Sequence, residues 1–82
     1  MKPFYYVYIL QSEKDLTTHY TGFTENLSER LNKHNEGGCH HTSKFRPWIL
    51  ENYFAFRSRN IALAFEKYLK SGSGREFARR HF

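Results

Sequence analysis

The sequence predicts a small α/β or α+β sandwich, in which helices pack against a sheet of short strands. Three segments are rich in aromatic and β-branched residues, a composition typical of strands. Three other segments begin with a residue that commonly caps helices. These segments follow the order strand, strand, helix, strand, helix, helix. Because 82 residues suffice for one small core, we expect a single domain over residues 1–82.

The first two strands are predicted at residues 4–10 and 19–23, on either side of a polar turn at residues 11–18. Strands so close in sequence are expected to pair as an antiparallel hairpin. Gly22 lies inside the second strand, which indicates either a bulge or a place where another group approaches the backbone closely. The third strand is predicted at Trp48–Phe56.

The first helix is predicted to begin after Asn26. The Asn26 side chain can accept a hydrogen bond from the amide of Glu29, and Glu29 can reach back, as in a capping box. Leu27 and Leu31 lie one turn apart and give the helix an apolar edge. The two glycines at residues 37–38 allow a left-handed exit, so we expect the helix to end near them.

The second helix is predicted at residues 59–70, with Ser58 as its cap and Gly72 as its end. The spacing of its apolar residues predicts a single core face. This face consists of Ile61, Phe65, Tyr68 and Leu69.

A third, short helix is predicted after the second. Ser73 followed by Glu76 indicates another capping box, and we expect the helix to continue through Phe77. Residues 39–47, between the first helix and the third strand, are polar and basic and are predicted to form a loop.

The charge balance favours an anionic partner. Thirteen Lys and Arg oppose eight Asp and Glu, which gives a net charge of +5 with histidine neutral. A small basic domain attracts polyanions because binding releases their condensed counterions, and nucleic acid is the commonest such partner. The single cysteine, Cys39, excludes an intramolecular disulfide and suits a reducing compartment. No apolar run approaches the ~20 residues of a membrane span, so we expect a cytoplasmic protein without a membrane partner.

Four side chains on the hairpin and the first helix are candidates for chemistry. Tyr8 and Tyr20 fall on the paired strands, where two phenols can converge on one face, although strand tyrosines more often serve only in packing. Arg30 and His34 are spaced i, i+4 and share a helix face that is rotated from the apolar edge, so both can point into a cleft. Arginine donates paired hydrogen bonds to phosphate, and histidine titrates near neutrality. A solvated helix face is the alternative for this pair.

A metal site is predicted at Glu66, in the middle of the second helix. One carboxylate together with substrate phosphates commonly holds Mg²⁺, which keeps most of its waters; an ordinary surface glutamate is the alternative. Cys39, His40 and His41 with His34 offer a zinc alternative, but three adjacent residues cannot easily face one tetrahedral centre. A basic loop that contacts phosphate fits this segment better. Its candidate residues are His40, His41, Lys44 and Arg46.

The order of these features resembles the GIY-YIG nuclease superfamily, in particular its short, stand-alone bacterial members. The first family motif, Gly-Ile-Tyr, corresponds to Tyr6-Val7-Tyr8, and the second, Tyr-Ile-Gly, to Tyr20-Thr21-Gly22. The helix that carries the family's arginine corresponds to the segment with Arg30 and, one turn later, His34. The metal-binding glutamate corresponds to Glu66, in a Glu-Lys-x-x-Lys segment.

The resemblance implies a three-stranded antiparallel sheet flanked by helices and a one-metal hydrolysis of phosphodiester bonds, with DNA as the expected substrate. Glu66 would hold one Mg²⁺ or Mn²⁺ ion, and Arg30 would bond a phosphate oxygen. Tyr20 would activate the attacking water; a phenol, with an ordinary pKa of ~10, does so at neutrality only when a cation favours its charged form. Tyr8 and His34 would orient water and phosphate or relay the proton. The predicted nucleic-acid contacts are Lys33, His40, His41, Lys44, Arg46, Lys67 and Lys70.

The chain departs from the family pattern at several positions. Tyr6 and Val7 replace the Gly and Ile of the first motif, and Thr21 replaces the Ile of the second; these are scaffold positions in strands. Larger members also carry an Asn after the glutamate that helps complete the site, and the C-terminal segment of this chain has no Asn. Either Ser71 or Ser73 completes the site in its place, or the site is weakened.

Three functions are open at this point. One is an active endonuclease, with low sequence selectivity or with a preference for a flap, nick or branch, which would suit DNA repair. The second is a catalytically weak or inactive nucleic-acid-binding module. The third is a nuclease subunit that needs a partner protein for substrate recognition. The first is favoured because all five residues of the family's site occur together, namely Tyr8, Tyr20, Arg30, His34 and Glu66.

Overall fold

The computed structural model describes residues 3–82. Its sheet has three antiparallel strands. β1 (Tyr5–Ser12) lies at the centre, with β2 (His19–Thr24) on one side and β3 (Trp48–Phe56) on the other. β1 is the most buried strand, because it pairs with a strand on each side and its side chains on both faces of the sheet belong to the core. β2 and β3 are therefore edge strands, and β2 carries the second family motif on an open edge.

Three helices complete the fold, in the predicted order. α1 (Leu27–Asn35) connects β2 to β3, and α2 (Arg59–Leu69) and α3 (Gly72–His81) follow β3. The predicted fold class and element order are thus confirmed. No helix within residues 3–82 is long and apolar enough to cross a membrane.

The alternation of side chains along β1 divides the core between the two faces of the sheet. Tyr8 and Leu10 point to the face that α1 covers, where Trp48 joins them. Val7 and Ile9 point to the opposite face, against the α2 residues Ala62 and Leu69 and the surrounding phenylalanines. The sheet is therefore the middle layer, and α1 and α2 lie on opposite sides of it.

Gly22 marks a close approach to the backbone, and the register between β1 and β2 contains no bulge. It pairs directly with Tyr8, and a Cβ at position 22 would overlap the Tyr8 phenol. Tyr20 pairs with Leu10, so the two site tyrosines are offset along the hairpin and lie on the same face. The bulge in the sheet lies between β1 and β3, at Ile9 and Leu10.

α1 begins as the sequence predicts and ends slightly earlier. The Asn26 side chain accepts from the Glu29 amide at 3.1 Å, and the Glu29 carboxylate reaches the Asn26 side-chain amide at 3.5 Å. The helix ends at Asn35, and Gly37 takes the left-handed conformation with φ of +80°. The predicted cap and the glycine exit are both confirmed.

The start of α3 corrects the sequence prediction. Gly72 begins α3 and does not merely end α2, and the cap is Ser71 instead of Ser73. The Ser71 hydroxyl accepts from the Gly74 amide at 3.2 Å and donates to the Tyr68 carbonyl at 2.5 Å, so it joins the two helices. The helix also continues beyond Phe77 to His81.

The core face of α2 also differs from the prediction. Ile61 is 59% exposed and lies outside the core. The buried positions are Ala62 and Leu69, with Phe65 partly buried between them, whereas Tyr68 is 41% exposed. An isoleucine and an alanine in consecutive positions leave the orientation of the helix open, and the narrow space above Val7 selects the smaller side chain.

Candidate active site

Tyr8 and His34 form the buried centre of the candidate site. The Tyr8 Oη and His34 Nε2 atoms lie 3.0 Å apart, and each side chain is only 1% exposed. Tyr8 comes from the middle of β1 and His34 from the last turn of α1. The prediction that His34 points into an open cleft is therefore wrong: the imidazole is packed against the sheet, where a neutral, hydrogen-bonded ring is stable.

Thr42 contacts the second ring nitrogen of His34, and sequence reasoning missed this contact. His34 Nδ1 lies 2.8 Å from Thr42 Oγ1, and the Thr42 hydroxyl donates to the Cys39 carbonyl at 3.3 Å. The hydroxyl has one proton, so when that proton goes to the Cys39 carbonyl, the hydroxyl oxygen accepts from the Nδ1–H of His34. Nε2 is then the unprotonated nitrogen and accepts the Tyr8 proton. A threonine in a polar loop carries no periodic signal that would reveal this contact.

The segment around Thr42 is held in place from three sides. The Trp48 indole donates to the Thr42 carbonyl at 2.9 Å. The Ser12 hydroxyl donates to the Phe45 carbonyl at 2.5 Å, and Ser43–Phe45 forms a short 3₁₀ turn. Thr42 itself is buried, whereas His40 and His41 beside it are exposed. The predicted basic loop is thus anchored at one residue and open to solvent at its neighbours.

Burial keeps both partners of the central pair uncharged near neutrality. Burial, assisted by the charge of Tyr20, raises the pKa of Tyr8 to about 12, while the Arg30 guanidinium opposes this rise. Burial lowers the pKa of His34 below its ordinary value, and the charges of Arg30 and Lys33 lower it further. A neutral phenol thus donates to a neutral imidazole.

Tyr20 joins this pair from the open edge of the sheet. Its ring centroid lies 6.3 Å from that of Tyr8 and 5.0 Å from that of His34. The side chain is partly exposed, because β2 has no neighbour on its outer side. The Lys70 ammonium lies 5.8 Å from the ring centroid. The structure thus brings Tyr8, Tyr20 and His34 together, with the Tyr20 phenol the most accessible of the three groups.

Arg30 lies one helical turn before His34 and is half-buried. Its Nη1 donates to the Phe23 carbonyl at 3.4 Å, which ties α1 to the end of β2. The guanidinium also faces the Tyr8 phenol, where its hydrogen bond and its charge favour the ionised form and oppose the rise in the Tyr8 pKa. Its remaining donors can serve a ligand. The fork geometry of those donors suits an oxygen pair of a phosphate.

Glu66 reaches the site from α2, on the other side of the sheet. Its Oε2 atom lies 3.1 Å from the Lys70 ammonium, and its side chain is 19% exposed. Lys70 contacts both Glu66 and the ring of Tyr20, so it connects the carboxylate to the tyrosine around the open edge of β2. The chemistry of a carboxylate at a partly exposed edge fits one Mg²⁺ or Mn²⁺ ion, whose other ligands are waters and phosphate oxygens. No group of three or more His, Cys, Asp or Glu suited to a metal ion occurs in the described part of the chain.

The predicted nucleic-acid contacts fall into two exposed groups. Lys33 on α1, with His40, His41, Lys44 and Arg46, surrounds the loop after α1. Lys67 and Lys70 lie in the last turns of α2, beside Glu66. The first group is near the end of α1 that carries His34, and the second is beside the β2 edge.

A groove between α3 and the sheet was not predicted from the sequence. It has a volume of about 740 Å³, and we call it the α3 groove. Tyr20 and Lys70 belong both to its wall and to the candidate site. The α3 residues Arg75, Ala78 and Arg79 form its other wall. No pattern along the chain predicts this groove, because the position of α3 depends on the Ser71 cap.

The serines proposed to replace the missing Asn differ in their surroundings. The Ser71 hydroxyl is engaged by the Tyr68 carbonyl and the Gly74 amide. Ser73 is exposed in the first turn of α3. Ser71 therefore serves as the cap of α3. The catalytic and binding roles of the predicted site residues stay predictions.

Comparison with known proteins identifies the family. The model of the GIY-YIG catalytic domain matches residues 4–80. The structure-specific endonuclease subunit SLX1 of Scheffersomyces stipitis is 41% identical over 70 residues, which are 77% of this chain and 21% of that protein. UPF0213 proteins of Haloquadratum walsbyi and Pediococcus acidilactici are both 36% identical, over 87% and 88% of this chain and 79% and 74% of their own lengths.

The chain thus spans about a fifth of the SLX1 subunit and most of each UPF0213 protein. Together with the three-stranded antiparallel sheet and its helices, the family match confirms the resemblance seen in the motifs. The chain belongs to the GIY-YIG family, and residues 4–80 form an endonuclease domain of that family.

Proposed function

We propose that this protein is a metal-dependent endonuclease that hydrolyses phosphodiester bonds in DNA, with Tyr8, Tyr20, Arg30, His34 and Glu66 as its catalytic residues. One observation carries the proposal. A buried tyrosine–histidine pair, whose second ring nitrogen contacts the Thr42 hydroxyl, lies directly beside a more accessible tyrosine at an open sheet edge. A module that only binds nucleic acid has no need of such a buried polar network, which is costly unless every member is paired.

Tyr20 is the group that would accept the proton of the attacking water. Its position on the open edge of β2 gives water access, which the buried Tyr8 phenol lacks. Burial raises the pKa of Tyr8 to about 12, so Tyr8 holds its proton and makes a poor base. The geometry therefore favours Tyr20 over Tyr8 for this step.

Tyr8 and His34 would orient the reacting groups around Tyr20. Their rings pack against the Tyr20 ring on one side and leave its open side to solvent. Because the Tyr8–His34–Thr42 chain is fully paired, it holds these rings in a single arrangement. Positioning of this kind contributes to rate by keeping reacting atoms within attack distance.

Arg30 and Glu66 would bind the phosphate from two directions. Arg30 would donate paired hydrogen bonds to non-bridging oxygens and stabilise the charge that develops on them. Glu66 would hold the metal ion, and Lys70 would balance the carboxylate charge when the ion is away. The bound ion supplies Lewis-acid stabilisation of charge on the leaving oxygen.

A requirement for a partner protein is the second candidate, and one observation favours it. The SLX1 relative is named a subunit of a structure-specific endonuclease, and the matched region covers 21% of it. We extend two features to this chain as proposals: a preference for DNA structure over sequence, and assistance from another protein in substrate recognition.

The proposed function is tested by offering the purified protein flap, nicked, single-stranded and uniform duplex DNA, and matching RNA, with Mg²⁺, with Mn²⁺ and with chelator. We expect metal-dependent cleavage that is strongest on DNA with a flap, nick or branch. Arg30→Ala should abolish cleavage. Arg57 is an exposed arginine after β3, so the Arg57→Ala protein should cut like the wild type. Salt-sensitive binding by all proteins without any cleavage would instead support the binding module or the partner-dependent subunit.

A further inference from the structure

We propose that the α3 groove binds one unpaired nucleotide, next to the phosphate that is cut. The inference rests on the proposed function and deepens it, because it names the feature of the substrate that is recognised. A nuclease with this groove would prefer flaps, branches and single strands over uniform duplex.

The position of the groove ties its occupant to the reaction. Tyr20 and Lys70 line the groove and also belong to the candidate active site. The Lys70 ammonium that lies near the Tyr20 ring also forms an ion pair with Glu66 at 3.1 Å. A group in the α3 groove therefore lies beside two side chains of the candidate active site. For a nucleic acid cut at that site, the group would be the nucleotide next to the phosphate.

The volume of the α3 groove and the apolar part of its lining fit a base that is not stacked on its neighbours. A volume of about 740 Å³ lies within the ~300–1,000 Å³ typical of small-ligand sites. The apolar lining would be wasted on a phosphate chain, but it suits the face of a base, which stacks on apolar and aromatic side chains. This lining consists of Ile9, Leu69, Ala78 and Phe82.

The polar part of the lining fits the rest of a nucleotide. Arg75 forms no ion pair or side-chain hydrogen bond with any other residue in the described range 3–82, and it is exposed, so its guanidinium is free for phosphate. Arg79 adds a second cation, partly balanced by Glu76 at 2.6 Å. At the other side, His19 and Glu51 lie 3.4 Å apart and offer a donor and acceptors to a base edge.

The first test measures binding without any cleavage. NMR amide shifts would be followed while thymidine 5′-monophosphate or inorganic phosphate is added to the protein without metal. We expect the nucleotide to shift the groove residues and to bind about tenfold more weakly to Arg75→Ala, the loss typical of one charge-assisted hydrogen bond. Arg80→Ala removes an exposed arginine of the same helix outside the groove, and it should bind like the wild type. Shifts confined to surfaces away from the groove, or equal binding of phosphate alone, would overturn the proposal.

The second test measures substrate preference. Ala78→Phe fills the groove from α3 and leaves the catalytic residues in place; its fold is checked by circular dichroism and by an unchanged melting temperature. We expect the ratio of flap to duplex cleavage to fall about tenfold in both Ala78→Phe and Arg75→Ala, and to stay at the wild-type value in Arg80→Ala. An unchanged ratio in both variants would overturn the proposal.

The two tests separate this inference from the proposed function. If the nucleotide binds in the groove but no substrate is cut, the endonuclease activity fails and the groove stands. If substrates are cut but the flap-to-duplex ratio does not respond to either variant, the groove fails and the endonuclease stands.

Discussion

The Tyr8 phenol and the His34 imidazole form a 3.0 Å hydrogen bond between residues that lie 26 positions apart in the chain. The bond joins the central strand β1 to the last turn of α1, and both side chains are buried. Each of the two groups would be a costly unpaired polar atom without the other. The same bond therefore serves the fold and the orientation of the site.

Tyr8→Phe should lower the free energy of unfolding by about 1–3 kcal/mol, because the ring is kept but the buried His34 Nε2 loses its donor. Urea denaturation measures this change. Tyr53→Phe is the matched control: Tyr53 pairs with Tyr8 across the sheet but is 55% exposed, so the loss of its hydroxyl should cost less than ~0.5 kcal/mol. Equal effects of the two substitutions would mean that the bond contributes nothing to stability.

The raised pKa of Tyr8 also predicts a loss of stability at alkaline pH. Its pKa is about 12 in the fold and 10.0 for an ordinary tyrosine, so between these values the unfolded chain has released a proton that the folded chain keeps. The contribution of Tyr8 to the free energy of unfolding should therefore be constant below pH 10 and should fall as the pH rises from 10 to 12. Tyr8→Phe should lose this part of the decline in the same urea experiments, and an unchanged alkaline decline would contradict the assignment.

The lowered pKa of His34 predicts a loss of stability at acid pH. Burial lowers its pKa below 6.5, so as the pH falls below 6.5 the unfolded chain binds a proton before the folded chain does. The free energy of unfolding should fall with decreasing pH in this range. His34→Gln should lose stability at neutral pH but show a flatter acid limb, whereas the exposed His41→Gln should keep the wild-type slope. A wild-type slope in both variants would assign the acid limb to other groups.

Thr42 is expected to act as a positioning residue. Thr42→Val keeps the shape of the side chain but removes the acceptor for the Nδ1–H of His34. We expect kcat to fall about tenfold with KM unchanged, because one hydrogen bond of ~1–1.5 kcal/mol no longer holds the ring. Thr42→Ser should restore the rate. The ¹⁵N shifts of His34 should report a proton on Nδ1 in the wild type and in Thr42→Ser, and a mixture in Thr42→Val. A valine variant with wild-type kcat and ¹⁵N shifts would remove Thr42 from the account.

Gly22 is required by the Tyr8 phenol. A Cβ at this position would overlap the phenol oxygen and lie 2.5 Å from Tyr8 Cζ, so Gly22→Ala should cost about 1–3 kcal/mol of stability by overpacking. Gly72→Ala is the matched control, since nothing lies within 4 Å of its Cβ position at the start of α3. That change should be neutral or stabilise by up to ~1 kcal/mol. Thermal melts of the two variants measure the difference, and a neutral Gly22→Ala would mean that the phenol moves aside freely.

The sequence predicted the strands and the caps of α1 and α2, because these depend on local patterns. Asn26 and Ser58 cap the helices that follow them, as expected. The start of α3 was predicted wrongly because the spacing of Ser73 and Glu76 matches a capping box. The cap is Ser71, whose hydroxyl donates to the Tyr68 carbonyl at the end of α2, a contact that the spacing does not reveal.

The surroundings of the site were beyond sequence reasoning because they depend on distant contacts. The burial of His34 follows from the packing of α1 on β1, with the partner 26 positions away. Thr42 is connected to the site only through the fold of its loop, which the Trp48 indole anchors. The α3 groove depends on the angle at which α3 leaves Ser71. None of these contacts produces a pattern along the chain.

The most direct test of the account is cleavage and binding of a flap DNA by Glu66→Gln beside the wild type, with Mg²⁺ and with chelator. Glu76→Gln, which alters an exposed glutamate of α3, is the control for a lost carboxylate. We expect Glu66→Gln to cut at least about a hundredfold more slowly while binding the flap within about twofold, because the carboxylate holds the metal and not the DNA. Cleavage by Glu66→Gln at the wild-type rate, or wild-type cleavage that persists in chelator, would contradict the proposed metal site and the mechanism built on it.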